Sequence, residues 1–416
     1  MNATGSGRAE RGGDPAARGR WDARLAAEHA RAFAGLFPAG AAPRVFFAPG
    51  RVNLMGAHLD YNGGPVMPTA IDRGTFVAVR PRLDGRIVLA STLDGARAEA
   101  QIGALPAVRS RRWADYPLGV LREILALADA QGALGHGLDV LFGGNLAVGA
   151  GLSSSASICV ATAFALDAVF GLGLPRIEIV HAALRAERGF VGVQCGIMDP
   201  YAVGLARGGS LLWLDCKDRT SEHLPLDPAR VSIAVADTLV RRELAQGAFN
   251  ERVAECRAAF DALRAFQPDA TCLRDVRLET LAKHARDLDP TPMKRARHVV
   301  EEVGRTFAAR EALRRGDLRG FGAAMTLAHE SLREHFEVSV PELDRLVASA
   351  IAVPGVLGAR LTGAGFGGCA VILLERGAEA DLEGRIVQDF TRAFGRAPRV
   401  EFFGGDSGPR ELDLGR

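Results

Sequence analysis

The sequence predicts an α+β fold of two lobes, and three observations support this. The chain has 416 residues, which is too long for one compact core and favours two domains. Its first half alternates helical patterns with short runs of β-branched and aromatic residues. From Val231 onward, long helical patterns dominate until strands and helices alternate again near the end. We expect the two lobes to join near 215–235.

The N-terminal lobe is predicted to be a mainly antiparallel sheet with helices. Glycine, proline and aspartate separate its strands, as in hairpin-connected sheets. Its predicted helices span 21–37, 113–132, 155–170 and 176–187. Its predicted strands span 44–50, 65–71, 74–82, 86–91, 137–146 and 209–215. The helix at 155–170 is apolar almost all round, so we expect it to be buried.

The C-terminal lobe is predicted to be a second α+β unit. Its predicted strands span 231–237, 357–362, 368–374 and 399–403, and its later helices span 318–336, 340–351 and 378–394. The first twenty residues lack the apolar run of a secretory signal and have the composition of a disordered tail. The predicted organisation is a tail at 1–20, an N-terminal domain at 21–225 and a C-terminal domain at 226–416.

Composition excludes several classes of partner. The net charge is only +2, and no basic stripe with interleaved aromatic residues is present, so nucleic acid is not an expected partner. No run of about 20 apolar residues could span a membrane. The six cysteines form no CxxC pair, which argues against a zinc site or a disulfide framework and fits a reducing cytoplasm.

Two glycine-rich turns stand out. In "GGNLAVGAGLSSSAS" (143–157) a glycine-rich turn leads into a helix, so free N–H groups and serine hydroxyls could hold a phosphate or a metal. The GK[ST] ending of a Walker A loop is missing, and a plain N-capped helix is the alternative. In "LTGAGFGGCAVILL" (361–374) four glycines in seven positions cost folding entropy. A ligand phosphate or the first glycine loop is expected to approach here, with plain packing of two loops as the alternative.

Two carboxylates lie in "ERGFVGVQCGIMDPYA" (187–202). Glu187 ends a predicted helix, and Asp199 follows the apolar residues Ile197 and Met198. An aspartate beside a hydroxyl substrate can accept or orient its proton, and a glutamate near a serine can hold Mg²⁺. Taken singly, each could instead be a helix cap or a surface charge.

Together the motifs "PGRVNLMG.HLDYNGG", "GLSSSAS", "CGIMD" and "GAGFGGC" resemble the galactokinase family, one of the kinases acting on galactose, homoserine, mevalonate and phosphomevalonate (GHMP kinases). The resemblance runs from about 47 to 371. It implies a two-lobed GHMP kinase fold with the active site in the cleft between the lobes. It also implies ATP-dependent phosphorylation of a sugar at its anomeric hydroxyl, with Mg²⁺ as cofactor. Sugar and ATP would be the only partners of a cytoplasmic protein, which we expect to be a monomer.

The resemblance also implies roles for individual residues. Asp199 would be the catalytic aspartate, with Arg51 beside it. The implied sugar-binding residues are Arg51, Ala57, His58, Asp60, Gly196, Asp199 and Phe249. The implied ATP-binding residues are Trp113, Gly149, Gly151, Leu152, Ser153, Ser154, Ser155 and Ala156. Ser155 and Glu187 would be the magnesium ligands, and the third motif, 363–368, would support the phosphate loop and the sugar site.

Three residues depart from the family pattern. Ala57 stands where galactokinases usually have the glutamate of "GEHTDY", Phe249 replaces a pocket tyrosine, and Pro200 replaces a glutamine. In the family that glutamate binds the sugar 6-hydroxyl, so its loss should allow another C6 substituent. The plant galacturonokinases resemble this sequence at Ala57 and Phe249. We therefore expect a galactose-configured sugar altered at C6, with galacturonate slightly favoured.

Two alternatives remain open. One is a plain galactokinase whose pocket has drifted. The other, more remote, is a non-catalytic sensor that binds sugar and ATP. The sensor is disfavoured because Arg51, Ser155, Glu187 and Asp199 are all present.

Overall fold

A computed structural model describes residues 15–129, 136–146, 151–193, 195–240 and 245–414. Its helices are α1 Pro15–Leu36, α2 Asp115–Asp129, α3 Ser154–Phe170, α4 Arg176–Arg185, α5 Met198–Gly204, α6 Ala245–Leu263, α7 Leu278–Lys283, α8 Pro290–Arg314, α9 Leu318–Glu334, α10 Pro341–Ile351 and α11 Glu379–Phe394. Its strands are β1 Arg44–Asn53, β2 Pro65–Val66, β3 Pro68–Arg82, β4 Arg86–Ser91, β5 Arg97–Gln101, β6 Gly137–Gly144, β7 Ser210–Asp215, β8 Ser221–Pro225, β9 Val231–Asp237, β10 Val356–Thr362, β11 Cys369–Glu375, β12 Arg399–Phe403 and β13 Arg410–Leu412. Residues 1–14 of the expected tail lie outside the described residues, whereas 15–20, which were also expected to be disordered, form the first turns of α1.

The first sheet has six strands in the order β13-β1-β3-β6-β4-β5. All neighbouring pairs are antiparallel except β4 and β6, which confirms the mainly antiparallel prediction. Because successive side chains of a strand point to opposite faces, β1 serves two cores. Phe46 and Ala48 pack with α2 and α3, whereas Val45 and Phe47 pack with α1. The predicted burial of α3 is confirmed along its central turns.

The second sheet has four antiparallel strands in the order β10-β11-β9-β12, and α9 and α10 pack against β10. A small third sheet joins β2, β7 and β8. The α+β character predicted for the C-terminal part is therefore confirmed. The final strand, β13, pairs with β1 in the first sheet. The last residues of the chain therefore join the N-terminal sheet, and the predicted domain bounds stay a prediction.

Three predicted elements differ from the structure. The strands expected at 65–71 and 74–82 are instead a short β2 and one long β3 that begins at Pro68. The register of β1 against β3 shifts between Pro49 and Gly50. This bulge lets the two strands stay paired on both sides of 72–73, where a break between two strands was expected. The helix expected at 176–187 ends at Arg185 and continues as a π-helical turn over Ala186–Val191. Glu187 therefore lies in a widened turn, a feature frequent at functional sites.

Two further expectations concern membrane-spanning helices and disulfide bonds. Among the helices described, none is both long and apolar enough to cross a membrane. All six cysteines lie within the described ranges and are free, as expected for a chain without a disulfide framework.

Candidate active site

Arg51 and Asp199 form the centre of the site. Arg51 lies near the end of β1, and Asp199 is the second residue of α5. The guanidinium binds the carboxylate at two points, with Nε to Oδ1 and Nη2 to Oδ2 both 2.7 Å. The Arg51 side chain is 8% exposed and that of Asp199 is 26% exposed. The structure thus joins the two residues predicted to be catalytic in a strong, oriented pair that a ligand could still reach.

The glycine–serine loop is tied to the same pair. The Ser153 hydroxyl donates to the Asp199 carboxylate, and Arg51 Nη1 donates to Gly151 O at 2.6 Å. The Arg51 backbone N–H donates to Leu152 O at 3.2 Å. Ser153 has a left-handed φ of 60° and directly precedes α3. The start of α3 is therefore held beside Asp199, whereas Gly149 lies outside the described residues.

The two glycine-rich turns lie against each other. A Cβ added at Gly151 would lie 3.8 Å from Gly363 Cα, and the converse distance is also 3.8 Å. Both glycines have a positive φ, 73° and 82°, which favours glycine. Of the two partners expected for the second turn, the structure shows the first glycine loop.

Glu187 and Ser155 are in contact. Glu187 accepts a hydrogen bond from Ser155, and burial raises the pKa of Glu187 to about 7. Its Oε2 atom is buried and has no hydrogen-bond partner among the described residues. A free carboxylate oxygen beside a hydroxyl fits Mg²⁺, which usually takes one or two protein carboxylates together with phosphate and water. In the described part of the chain no cluster of three or more His, Cys, Asp or Glu side chains could hold a metal.

Asp60 and Gly196 are packed together, as expected for two residues of one pocket. A Cβ added at Gly196 would lie 1.7 Å from Asp60 Oδ2, so a side chain there would displace the Asp60 carboxylate. Burial, together with the negative charge of Asp199, raises the pKa of Asp60 to about 6. The two aspartates therefore lie within electrostatic reach of each other.

His58 brings three aromatic residues to this region. Its Nδ1 atom lies 2.9 Å from the Tyr61 hydroxyl oxygen, and its ring centroid lies 5.9 Å from that of Phe249 and 4.7 Å from that of Phe336. Burial lowers the pKa of His58 to about 3, so the imidazole is neutral at physiological pH. The structure thus brings together His58 and Phe249, two of the residues implied to bind the sugar, and their role stays a prediction.

The side chains of three residues predicted to bind ATP pack against other residues of the protein. Leu152 and Ala156 are buried in the apolar core, so a ligand there would meet mainly backbone. Trp113 packs edge-on against Phe142, with ring centroids 5.5 Å apart.

Sequence reasoning missed the residues that hold the backbone around Ala57. Glu302 Oε1 accepts hydrogen bonds from the N–H groups of Gly56, at 3.2 Å, and Ala57, at 3.4 Å. His298 Nε2 lies 3.2 Å from Ala57 O. The available signal was the spacing of His298 and Glu302, two polar residues four apart that share one face of α8 with buried apolar neighbours.

Three family models match the chain. The galactokinase galactose-binding signature matches residues 31–81, the GHMP kinases N terminal domain matches 115–207, and the GHMP kinases C terminal domain matches 309–392. The first match includes the segment from Arg51 to Asp60, and the second includes the serine loop and both carboxylates.

Curated relatives and solved structures agree with these matches. The galactokinase of Roseiflexus sp. is 43% identical over 356 residues, covering 85% of this chain and 89% of its own length. That of Enterococcus faecalis is 41% identical over 336 residues, with 80% and 85% coverage. The crystal structure of Lactococcus lactis galactokinase complexed with galactose gives a TM-score of 0.87 at 33% identity, covering 93% of this chain and all of the other.

A more distant structure supports the fold alone. Methanococcus jannaschii mevalonate kinase gives a TM-score of 0.63 at 19% identity over 88% of this chain. With relatives above 40% identity over at least 80% of this chain and a specific signature over its first motif, the chain belongs to the galactokinase family and is a sugar kinase with the GHMP kinase fold.

Proposed function

We propose that this protein is a galactokinase, which transfers the γ-phosphoryl group of ATP to the anomeric hydroxyl of galactose and yields galactose 1-phosphate and ADP. The observation that carries this proposal is the junction of three motifs at one carboxylate. Asp199 accepts hydrogen bonds from Arg51 and Ser153, and the Gly196–Asp60 contact lies close to it in the chain.

Phosphoryl transfer needs an aligned acceptor oxygen and neutralised phosphate charge more than covalent chemistry. Asp199 would accept or orient the proton of the anomeric hydroxyl, while Arg51 fixes the direction of its carboxylate. The N–H groups and hydroxyls of the loop from Gly151 to Ser155 would bind the ATP phosphates at the positive end of α3. Leu152 and Ala156 would contribute backbone, and Trp113 would lie near the adenine.

Ser155 and Glu187 would hold Mg²⁺ by their oxygen atoms. The ion, when bound, neutralises charge on the transferring phosphates. The free, buried Oε2 of Glu187 supports this assignment.

His58, Asp60 and Gly196 would bind the sugar hydroxyls, with Ala57 and Phe249 lining the remaining side of the pocket. The relatives described above are named galactokinases, which favours galactose over the galacturonate expected from the sequence. The residues Ala57, Phe249 and Pro200 are then tolerated changes in a galactose pocket. We also propose that the protein acts as a monomer in the cytoplasm.

A small acceptor panel tests this proposal. Coupled ADP release with Mg-ATP would be measured on galactose, galacturonate, arabinose, fucose and glucose. Fastest turnover on galactose is expected. Fastest turnover on galacturonate, with galactose activity restored by Ala57→Glu and Phe249→Tyr together, would show that the sugar is wrong. Silence on all five sugars would contradict a kinase and support a sensor.

A further inference from the structure

The peptide groups around Ala57 are fixed by side chains distant in sequence. Both backbone polar groups of Ala57 have a partner on α8, since Glu302 accepts from its N–H and His298 lies 3.2 Å from its carbonyl oxygen. The two partners are one helical turn apart and 241 and 245 residues from Ala57. Arg360 of β10 continues this support, because it donates to Leu54 O at 2.7 Å.

The hydrogen-bonding direction of His298 follows from chemistry. Burial lowers its pKa well below the usual range, so the ring is neutral and carries one N–H. The Ala57 carbonyl can only accept, so Nε2 carries the hydrogen. Nδ1 must then accept from the Ser331 hydroxyl, 2.9 Å away. His298 therefore points one fixed donor at Ala57.

The supported position is the one before a strained residue. His58 has a left-handed φ of 58°, which is unfavourable for a non-glycine residue. Such a conformation persists only where the surroundings over-determine it, and it is often found at ligand sites. Fixing the peptide of Ala57 fixes the direction from which the chain enters His58, and Asp60 follows two residues later.

Glu302 holds the Ala57 peptide with a buried carboxylate, a group that is unfavourable to remove from water. Its side chain is fully buried, and Arg305 on the same helix is its ion-pair partner. A buried carboxylate is costly unless it is paired and hydrogen-bonded. Its Oε1 is used for the N–H groups of Gly56 and Ala57 and for no residue of the Arg51–Asp199 centre.

We propose that Glu302 and His298 are positioning residues for sugar binding, which hold the Ala57 peptide so that His58 and Asp60 face the sugar in one arrangement. This inference rests on the proposed function, in which the loop from Ala57 to Asp60 contacts the sugar. It makes sugar affinity depend on α8, which packs chiefly against α6 and α9 among the described elements.

The first test separates sugar binding from nucleotide binding. Glu302→Leu and His298→Leu remove the hydrogen bonds, whereas Glu302→Gln keeps an acceptor oxygen. The control is Glu311→Gln, which changes an exposed ion-pair residue of the same helix. Glu302→Leu and His298→Leu should raise the galactose KM by about tenfold to a hundredfold. The ATP KM should stay within about twofold, and Glu302→Gln should recover part of the sugar affinity.

The second test needs no activity. Hydrogen–deuterium exchange over residues 53–62 is compared in Glu302→Leu, Glu311→Gln and the unmodified protein. Faster exchange in Glu302→Leu alone supports positioning by Glu302, and equal exchange in all three overturns it. If the unmodified protein turns over galactose but folded Glu302→Leu and His298→Leu keep its KM, or raise both KM values equally, the inference is wrong. If the unmodified protein does not use galactose, the proposed function fails, and the exchange comparison still decides the role of Glu302.

Discussion

Gly196 has no side chain, and this leaves room for the Asp60 carboxylate in the proposed sugar pocket. Any Cβ at this position would overlap Asp60 Oδ2. Gly196→Ala should displace the Asp60 carboxylate and raise the galactose KM by about tenfold or more. Gly189→Ala is the matched control, because a Cβ at Gly189 meets nothing within 4 Å. Steady-state kinetics on both variants gives the comparison, and equal KM values would remove Asp60 from sugar binding.

Glu187 should make stability depend on pH when nucleotide and Mg²⁺ are absent. Its pKa is raised to about 7 in the folded protein, chiefly by burial, from a usual value of 4.5. The folded state therefore holds a proton that the unfolded state releases between these values. The stability that this bound proton gives to the folded state is complete below pH 4.5 and is lost as the pH rises through 7.

The expected change from this one group is about 3 kcal/mol across that window, at 1.36 kcal/mol for each unit of pKa. Glu187→Gln carries no titrating proton, so its stability should fall less as the pH rises. Thermal unfolding of both proteins at several pH values, in a metal chelator, measures the difference. Parallel curves would mean that Glu187 is not protonated in the folded state.

Local motifs predicted the residues of the site better than they predicted its supports. Arg51, Ser155 and Asp199 were found because glycines and apolar residues flank them in short, recognisable segments. Glu302 was not found, because its spacing from His298 marks a polar position on α8 but does not show that a peptide 245 residues earlier lies against it. Such long-range partners depend on how the sheets and helices pack.

At the scale of elements, the junction of the serine loop and α3 combines strain with a useful contact. Ser153 has a φ of 60° and donates to Asp199. Ser153→Gly and Ser153→Ala both remove the hydroxyl, but only glycine adopts this backbone without penalty. Both variants should lose about tenfold in kcat. The glycine variant should be more stable than the alanine variant by about 1 kcal/mol.

Kinetics and thermal unfolding of the two variants separate the effects. Loss of kcat in the alanine variant alone would assign the role to backbone geometry rather than to the hydroxyl. A glycine variant no more stable than the alanine variant would mean that the left-handed turn is not strained.

Elements with strong periodicity were predicted within a few residues, and those without it were missed. The predicted helix 340–351 is α10, Pro341–Ile351, because proline and acidic residues mark its start. β5 and β8 were missed because polar residues make up most of both strands, and no residue of β5 and only Leu224 of β8 is buried. The π-helical turn at Glu187 has no recognised sequence signal, although it decides where that carboxylate lies.

At the scale of the whole molecule, the end of the chain returns to its beginning. The three residues of β13 pair with β1, so that Arg410 lies opposite Phe47 and Leu412 opposite Val45. A three-residue strand after a glycine-rich stretch gives no periodic signal, so the sequence could not predict this closure. The sheet that carries Arg51 is thus completed by residues near the C-terminus.

Arg410 is expected to stabilise this closure. It binds Asp22 of α1 and the buried Asp406, both at 2.8 Å, and its guanidinium lies 4.6 Å from the centre of the Phe47 ring. Arg410→Leu removes the guanidinium from both carboxylates, which should cost about 3 kcal/mol because one of them is fully buried.

Arg319→Leu is the control, because Arg319 is 80% exposed and pairs with Glu375 on the surface. It should change stability by less than about 0.5 kcal/mol. Thermal unfolding at one fixed scan rate compares them, since large proteins often unfold irreversibly. A clear drop in Tm for Arg410→Leu alone would mean that α1, β1 and β13 unfold together. Equal Tm values would mean that the apolar contacts of Val45 and Leu412 suffice, and that the C-terminal strand contributes little to the sheet that holds Arg51.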